Sequence, residues 1–229
     1  MDTGLYIAAS GMLAQQVRQD QLANDLSNAS TPGYKSDSSV QQSFGAMLLS
    51  NTSTGQTIGP LNTGVRVGAP VTNLTPSTLH STGLPLDFAV AGQGFFAVRT
   101  AQGVRYTRDG QFQASAKGLL VDGQGNPVMS QNGATITVSA QGTVPASSLG
   151  VFNVTGVAKQ GNNLFTGRAS GPGTGTVRQG ELEDSAVDPV TTMVNMMTTM
   201  QSYQSGENAI QTIASTMQES AQSVGSLGG

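Results

Sequence analysis

The side chains that could carry chemistry in this 229-residue chain are few and scattered. His80 is the single histidine, and a lone histidine in a Ser/Thr-rich stretch is more often solvated than a base or a ligand. Glu181, Glu183 and Asp184 could bind calcium, but the ligand spacing of a calcium loop is absent, which favours a solvated approach to a helix. Two glycines in Ala91–Gly94 resemble a phosphate loop, but the third is missing, which favours a hairpin turn. The sequence therefore predicts no enzyme, no catalytic or metal site and no cofactor.

The composition excludes several classes of protein. Only 10% of the residues are charged, 30 are glycine, cysteine is absent and the net charge is −3. A nucleic-acid-binding surface needs clustered cations, which are missing here, so no nucleic acid partner is expected. No run approaches the roughly 18 apolar residues of a membrane span, so no membrane insertion is expected. The N-terminus lacks the basic and apolar regions of a secretory signal, and any export should follow another route.

Two helices with heptad spacing are predicted at the ends of the chain. The first covers residues 5–28, with two glutamines in its seam, and ends at Pro32–Gly33 in a type II turn. The second covers residues 189–224, with Asp188 as N-cap and Pro189 at its first position. At 1.5 Å per residue they would span ~36 Å and ~54 Å, too long to fold into a small β domain. They are therefore predicted to pair as a coiled coil.

The middle of the chain changes to the period of short strands separated by tight turns. An antiparallel all-β domain, closed or sandwich-like, is predicted at residues 86–184, and residues 32–85 are predicted to form an extended connector containing a strand at Val65–Val67. Ala169–Thr176 is interpreted as a flexible surface loop. The predicted fold class is α+β, with residues 1–31 and 185–229 forming the helical domain. The predicted strands lie within Leu86–Ala91, Phe95–Thr100, Val104–Thr107, Gln111–Ser115, Gly118–Asp122, Thr135–Ser139 and Leu149–Val157.

The methionine-rich start of the second helix has two interpretations. An apolar helical stripe is usually core. However, Met193 and Met197 lie on somewhat different faces, and Val190 and Val194 widen the stripe, so one partner helix covers only part of it. An uncovered apolar stripe usually marks a binding surface, which favours assembly.

Three segments resemble the bacterial flagellar rod and hook protein family. LANDLSNASTPGYK at Leu22–Lys35 is similar to N-N-L-A-N-x-x-T-x-G-[FY]-K, although Asp25 and Ser27 depart from it. Leu86–Phe112 is similar to G-x-G-F-F followed by Y-T-R-D-G, and Ser185–Tyr203 to S-N-V-D-P-V-x-x-M-V-N-M. The segments occur in family order and span nearly the whole chain. The matching positions of the first segment are Asn28, Thr31, Gly33, Tyr34 and Lys35.

The resemblance implies a flagellar function. In this family the terminal helices pair and pack with those of neighbouring subunits to line a hollow tube. Subunits leave the cell through the flagellar type III export apparatus without a cleaved signal. The size favours a rod component of the basal body, in the cell envelope, over the hook protein. Proximal and distal rod proteins both remain open, and the short segment Val138–Gly180 favours the proximal type.

The leading hypothesis is therefore a homo-oligomeric axial rod subunit that transmits torque from motor to hook and contacts other rod and hook proteins. The alternatives are a hook-type protein and a secreted β-domain binding module dimerised by its heptads. An enzyme is the weakest rival. In the leading hypothesis Asn28, Pro32 and Gly33 fix the exit of the chain from the helical layer. The predicted assembly residues on the helices are Leu5, Met12, Leu22, Leu26, Met193, Met196, Met200, Tyr203, Ile210 and Met217.

Overall fold

The computed structural model describes residues 2–43, 47–50, 57–61 and 64–226. The predicted helical and connector regions also include residues 1, 44–46, 51–56, 62–63 and 227–229, which lie outside the described residues. The helices are α1 (Asp2–Ser27) and α2 (Pro189–Ser226), and a short 3-10 helix spans Ala146–Ser148. The strands are β1 (Asp37–Ser38), β2 (Gln41–Ser43), β3 (Met47–Ser50), β4 (Thr57–Leu61), β5 (Val65–Val67), β6 (Val71–Thr72), β7 (Leu79–Ser81), β8 (Phe88–Ala91), β9 (Phe95–Thr100), β10 (Gly103–Thr107), β11 (Gln113–Ala114), β12 (Leu120–Val121), β13 (Val151–Lys159), β14 (Phe165–Pro172), β15 (Thr176–Gln179) and β16 (Glu181–Glu183).

The chain forms two compact units, which confirms an α+β fold with terminal helices and a central antiparallel β region. The helical unit comprises residues 1–26, 37–71 and 189–229. The β unit comprises residues 27–36 and 72–188.

In the helical unit α1 and α2 contact each other, as predicted. A Cβ atom built on Gly4 would lie 3.8 Å from Ile213 Cδ1, and one built on Gly206 would lie 2.8 Å from Met12 Cγ. Residue numbers rise along α1 as they fall along α2, so the helices run antiparallel. Gly206 allows this close approach, because any larger residue would overlap Met12.

A second contact of α1 is made with the connector. Strand β5, at the predicted Val65–Val67, pairs antiparallel with β2. The Val65 N–H donates to Ser10 Oγ at 3.3 Å, and Gln41 Nε2 donates to the Ala14 carbonyl at 3.5 Å. Helix α1 therefore has one side against α2 and another against this pair of strands.

The β unit is built around a closed antiparallel barrel in the order β10-β14-β13-β9. Apolar side chains on both faces of β9 are buried, in two separate clusters, because successive residues of a strand point to opposite faces. Phe96 and Phe112 pack edge to face with ring centroids 5.3 Å apart, and Phe95 packs against Phe165 at 5.6 Å. Strand β9 has the bounds predicted from the sequence, Phe95–Thr100.

The prediction of a flexible loop at Ala169–Thr176 is wrong. Strand β14 continues to Pro172 and pairs with β13, and Thr176 begins strand β15. The glycines there serve close packing: a Cβ atom on Gly173 would lie 2.5 Å from Val151 Cγ1. A glycine-rich sequence predicts flexibility, but the glycines of this segment instead allow strands to approach each other.

The predicted strand at Thr135–Ser139 is also wrong. The segment forms only isolated bridges, Met129 with Thr135 and Leu119 with Thr137. Turns closed by Ser130 N–H to the Ala134 carbonyl, and by Ser139 N–H to the Thr143 carbonyl, bracket it on both sides. The two bridges lead to different segments of the chain, so the residues between these turns form no continuous ladder with one partner.

Candidate functional site

The predicted assembly residues of the two helices divide by exposure. Three are exposed: Leu5 at 37%, Met193 at 47% and Met200 at 50%. The remaining ones are half-buried, and they are Met12, Leu22, Leu26, Met196, Tyr203, Ile210 and Met217.

The least exposed positions of α2 include two threonines that hydrophobicity alone could not indicate. Thr192 is 8% exposed and Thr199 is 3% exposed. The Thr199 hydroxyl donates to the Asn195 carbonyl at 2.7 Å, which satisfies its polar group within the helix. The covered seam of α2 therefore passes beside the methionines at 193 and 200. Its positions are Thr192, Met196, Thr199, Tyr203, Gly206, Ile210, Ile213 and Met217.

The apolar side chains that this seam leaves out form an exposed stripe at the start of α2, here called the α2 stripe. It is unusually exposed for apolar residues, with Val190 at 71% and Met197 at 64%. A contiguous exposed apolar surface of this kind usually marks an interaction site, whereas single exposed apolar residues are common on any protein. The α2 stripe consists of Val190, Met193, Val194, Met197 and Met200.

A groove in the helical unit lies between α1 and strand β5, and is here called the α1 groove. Its volume is about 500 Å³. Tyr6 and Leu13 line it and are 60% and 61% exposed, so its apolar wall is open to solvent. The other lining residues are Ala9, Ser10, Ala14, Val17, Val65, Arg66 and Val67.

In the β unit, the chain after Ser27 makes the predicted Pro-Gly turn. Tyr34 N–H donates to the Thr31 carbonyl at 3.3 Å, and Gly33 has φ +64°. This positive φ is the one that the second central position of a type II turn requires. A Cβ atom on Gly33 would lie 2.4 Å from the carbonyl carbon and oxygen of Arg108, so both conformation and space demand glycine.

The three residues predicted to fix the exit of the chain from the helical layer all make hydrogen bonds within the β unit. The Asn28 carbonyl accepts from Ser185 Oγ at 3.0 Å, and the Pro32 carbonyl accepts from Asn163 Nδ2 at 2.8 Å. The Gly33 N–H donates to the Glu183 carbonyl at 2.7 Å.

A buried ion-pair cluster lies directly after this turn. Lys35 Nζ donates to Glu183 Oε1 at 2.6 Å, and Arg108 Nη1 donates to Glu183 Oε2 at 3.0 Å. Their side chains are 0–2% exposed. Lys35 also donates to the Thr75 carbonyl, and the Ser77 N–H donates to Glu183 Oε1. The expectation that Glu183 is solvated is therefore wrong, because two cations and a backbone N–H compensate its burial.

The charges of this cluster do not cancel. Two cations face one carboxylate, and Arg108 Nε has no hydrogen-bond partner among the described residues. Burial lowers the pKa of Lys35, while its hydrogen bond and charge attraction to Glu183 oppose the shift and the charge of Arg108 adds to it. Among the described residues, Glu183 is the anion that pairs with both cations, and its loss should be costly.

The neighbouring Asp109 is the other perturbed group. Burial raises the pKa of its carboxyl to about 6, and the charges of Asp122 and Asp87 act in the same direction. A hydrogen bond from the Gln111 N–H to Asp109 Oδ1 opposes the rise. His80, expected to be solvated, is about half exposed and pairs with Asp184.

Among the described residues, no three histidine or acidic side chains are grouped so as to hold a metal ion. None of the described helical segments is both long and apolar enough to cross a membrane.

Comparisons with known proteins match three regions of the chain to flagellar families. Residues 5–35 match the flagella basal body rod protein family, residues 89–147 the flagellar hook protein FlgE/F/G D1 domain, and residues 178–223 the flagellar basal body rod FlgEFG protein C-terminal family. The flagellar basal-body rod protein FlgG of Bacillus subtilis is 31% identical, over 94% of this chain and 96% of its own length. The chain belongs to the flagellar basal-body rod protein family.

Two further curated relatives agree with this assignment. The flagellar basal-body rod protein FlgF of Caulobacter vibrioides is 29% identical over 99% of this chain and its own full length. The flagellar hook-basal body complex protein FlhO of Bacillus subtilis is 30% identical over 98% of this chain. The resemblance found in the sequence is confirmed: this rod protein is a structural axial subunit of the flagellar basal body, where the family assembles with other rod and hook components.

The ion-pair cluster joins the three family-matched regions of the rod protein. Lys35 is the last residue of the first region, Arg108 lies in the second and Glu183 in the third. Lys35 and Arg108 both lie within the family motifs of the sequence, but the motifs alone do not indicate a role for either residue. One signal was available: charged residues are rare in this chain, and these two cations occur inside motifs rich in turn and aromatic residues.

Proposed function

We propose that this rod protein polymerises through its terminal helices into a hollow helical tube that transmits torque from the motor to the hook. The exposed α2 stripe supports this most strongly, because a single copy leaves Met197 and Met200 at 64% and 50% exposure. Neighbouring subunits in a tube would cover these side chains and gain the free energy of burying them.

The hydrogen bonds of the β unit support the mechanical part of the proposal. Residues 27–36 are the first segment of this unit, directly after α1, and residues 183–188 are its last residues, directly before α2. They are tied to each other by Gly33 N–H to the Glu183 carbonyl, Ala186 N–H to the Tyr34 carbonyl at 2.9 Å, and the Lys35–Glu183 ion pair. Torsion that reaches one segment is therefore passed to the other.

We further propose export by the flagellar type III apparatus without a cleaved signal, as the resemblance implies. The proximal-rod assignment stays a prediction. Electron microscopy of basal bodies from a strain that lacks the gene would test it by showing where the axial structure stops.

Two double variants test polymerisation through the helices. Met197→Gln with Met200→Gln makes the α2 stripe polar, whereas Thr198→Gln with Ser202→Gln changes exposed residues on another face of the same two turns. The first pair should abolish swimming and shorten the rod seen in isolated basal bodies, and the second should leave both intact. Near-UV circular dichroism should show an unchanged β unit in both. Normal swimming by the first pair would refute the proposal.

A further inference from the structure

We propose that the α1 groove of one subunit binds the α2 stripe of a second copy of this chain. The inference rests on the polymerisation proposed above and assigns two of its contact surfaces. Both surfaces belong to the helical unit, and both are exposed and apolar in the single chain.

The two surfaces point to opposite sides of the helix pair. Leu13 in the α1 groove is nine residues from Gly4, which faces α2, and nine residues are about two and a half helical turns. Met197 in the α2 stripe is likewise nine residues from Gly206, which faces α1. Each surface therefore lies on the side of its helix away from the partner helix, and one molecule cannot place its own stripe in its own groove.

A second copy can satisfy both surfaces. Docking of one copy's stripe in the next copy's groove leaves a free groove at one end and a free stripe at the other. Such a head-to-tail contact repeats without closing on itself whenever the rotation between copies is not that of a ring. This is the kind of contact that an axial polymer needs.

The chemistry of the two surfaces is complementary. Arg66 lines the groove, whereas α2 contains no lysine or arginine. Glu207 continues the α2 stripe two turns beyond Met200. Among the described residues neither Arg66 nor Glu207 forms an ion pair, so each is available to a neighbour. Methionine side chains also adapt to a groove whose shape varies slightly between positions in an assembly.

Cysteine cross-linking tests this contact directly, because the chain contains no cysteine of its own. Full-length copies carrying Leu13→Cys and full-length copies carrying Met197→Cys, distinguished by size tags, are produced together in a strain that lacks the native gene. Isolated basal bodies are treated with a short bismaleimide, and mixed dimers are measured on denaturing gels. The matched controls replace Leu13→Cys by Arg18→Cys, or Met197→Cys by Ser202→Cys, each five residues away and exposed on another face.

The mixed Leu13→Cys and Met197→Cys sample should yield several-fold more mixed dimer than either control. Dimers no more abundant than in the controls, in cells that swim and carry the tagged subunits in their basal bodies, would overturn this contact and leave polymerisation standing. A cross-link from Leu13→Cys to a protein of another mass, with none to Met197→Cys, would overturn the assignment to a second copy. Basal bodies that lack the tagged subunits while the cells swim would instead overturn the proposed function. Where a cysteine copy fails to support swimming, Val17→Cys and Val194→Cys replace the pair.

Discussion

Replacement of Glu183 by glutamine tests whether the buried ion-pair cluster stabilises the β unit. The substitution keeps the size of the side chain and removes the carboxylate that pairs with Lys35 at 2.6 Å and Arg108 at 3.0 Å. Both cations then remain buried without a counter-ion. Breaking a buried pair in this way costs about 3–5 kcal/mol, whereas a typical domain is stable by only about 5–15 kcal/mol.

The geometry also predicts an order of effects. Lys35→Met leaves Glu183 paired with Arg108, so it should destabilise the β unit less than Glu183→Gln does. The difference follows from the excess of cations, because removing one of two positive charges leaves a balanced pair, whereas removing the carboxylate leaves two unpaired cations. The Thr75 carbonyl loses its hydrogen-bond donor in Lys35→Met, so this variant should still have a lower free energy of unfolding than the wild type.

Urea unfolding followed by near-UV circular dichroism measures these changes, because most of the aromatic residues belong to the β unit. Glu181→Gln is the matched control, since Glu181 lies in the same strand but pairs at 3.4 Å with Arg178, which is 59% exposed. An exposed pair of this kind contributes about 0–1 kcal/mol. Equal losses of unfolding free energy in Glu183→Gln and Glu181→Gln would refute the reasoning about burial.

Three further predictions concern glycines and one titrating carboxyl. Gly33→Ala should lower the free energy of unfolding by more than ~2 kcal/mol, whereas Gly118→Ala, also at positive φ but with nothing within 4 Å, should cost only about 1–2 kcal/mol in the same urea titration. Gly11→Ala should slow proteolysis of the helices through a gain of up to ~1 kcal/mol in helix propensity, and Gly206→Ala should not, because its Cβ overlaps the facing helix. The pKa of Asp109 is raised to about 6 in the folded state, so between about pH 4 and pH 6 this carboxyl is protonated more in the folded than in the unfolded chain. Its contribution to the free energy of unfolding is therefore lost as pH rises through this range. Asp109→Asn should therefore gain stability over the wild type with rising pH, by up to ~3 kcal/mol, and a pH-independent difference would contradict this.

The helices of this rod protein were predictable because their signals are local and repeated. Pro189 begins α2 directly after Asp188, as the capping pattern indicates, and Pro32–Gly33 form the turn that their residue types require. The seam was harder to place. Methionines at 193 and 200 are more hydrophobic than the threonines that are buried instead, so hydrophobic periodicity favours the methionines. The pattern does not include the hydrogen bond that a threonine hydroxyl can make to a carbonyl of its own helix, which makes its burial possible.

In the β unit the positions of several strands were predictable from the sequence, whereas the glycine-rich segment that also forms strands was not. Phe95–Thr100 was located correctly because its apolar and β-branched residues are bounded by turns. The prediction at Ala169–Thr176 is wrong because glycine is found both in flexible loops and where two strands approach closely. The sequence alone does not distinguish these cases, since the distinction depends on the neighbouring strand. Here the neighbour is Val151, whose Cγ1 lies only 2.5 Å from the position of a Cβ on Gly173, so close approach explains the glycine.

The ion-pair cluster could not be derived from spacing, because its members are far apart in the sequence. Lys35 and Glu183 are separated by 148 positions, and Arg108 and Glu183 by 75. Closing loops of this length costs conformational entropy, and the cluster is complete only when the three family-matched regions have come together. Until then each cation is better solvated by water, and burial favours the pair only in the finished unit. The three charged residues are therefore paired with one another only in the completed β unit, where they link the three family-matched regions.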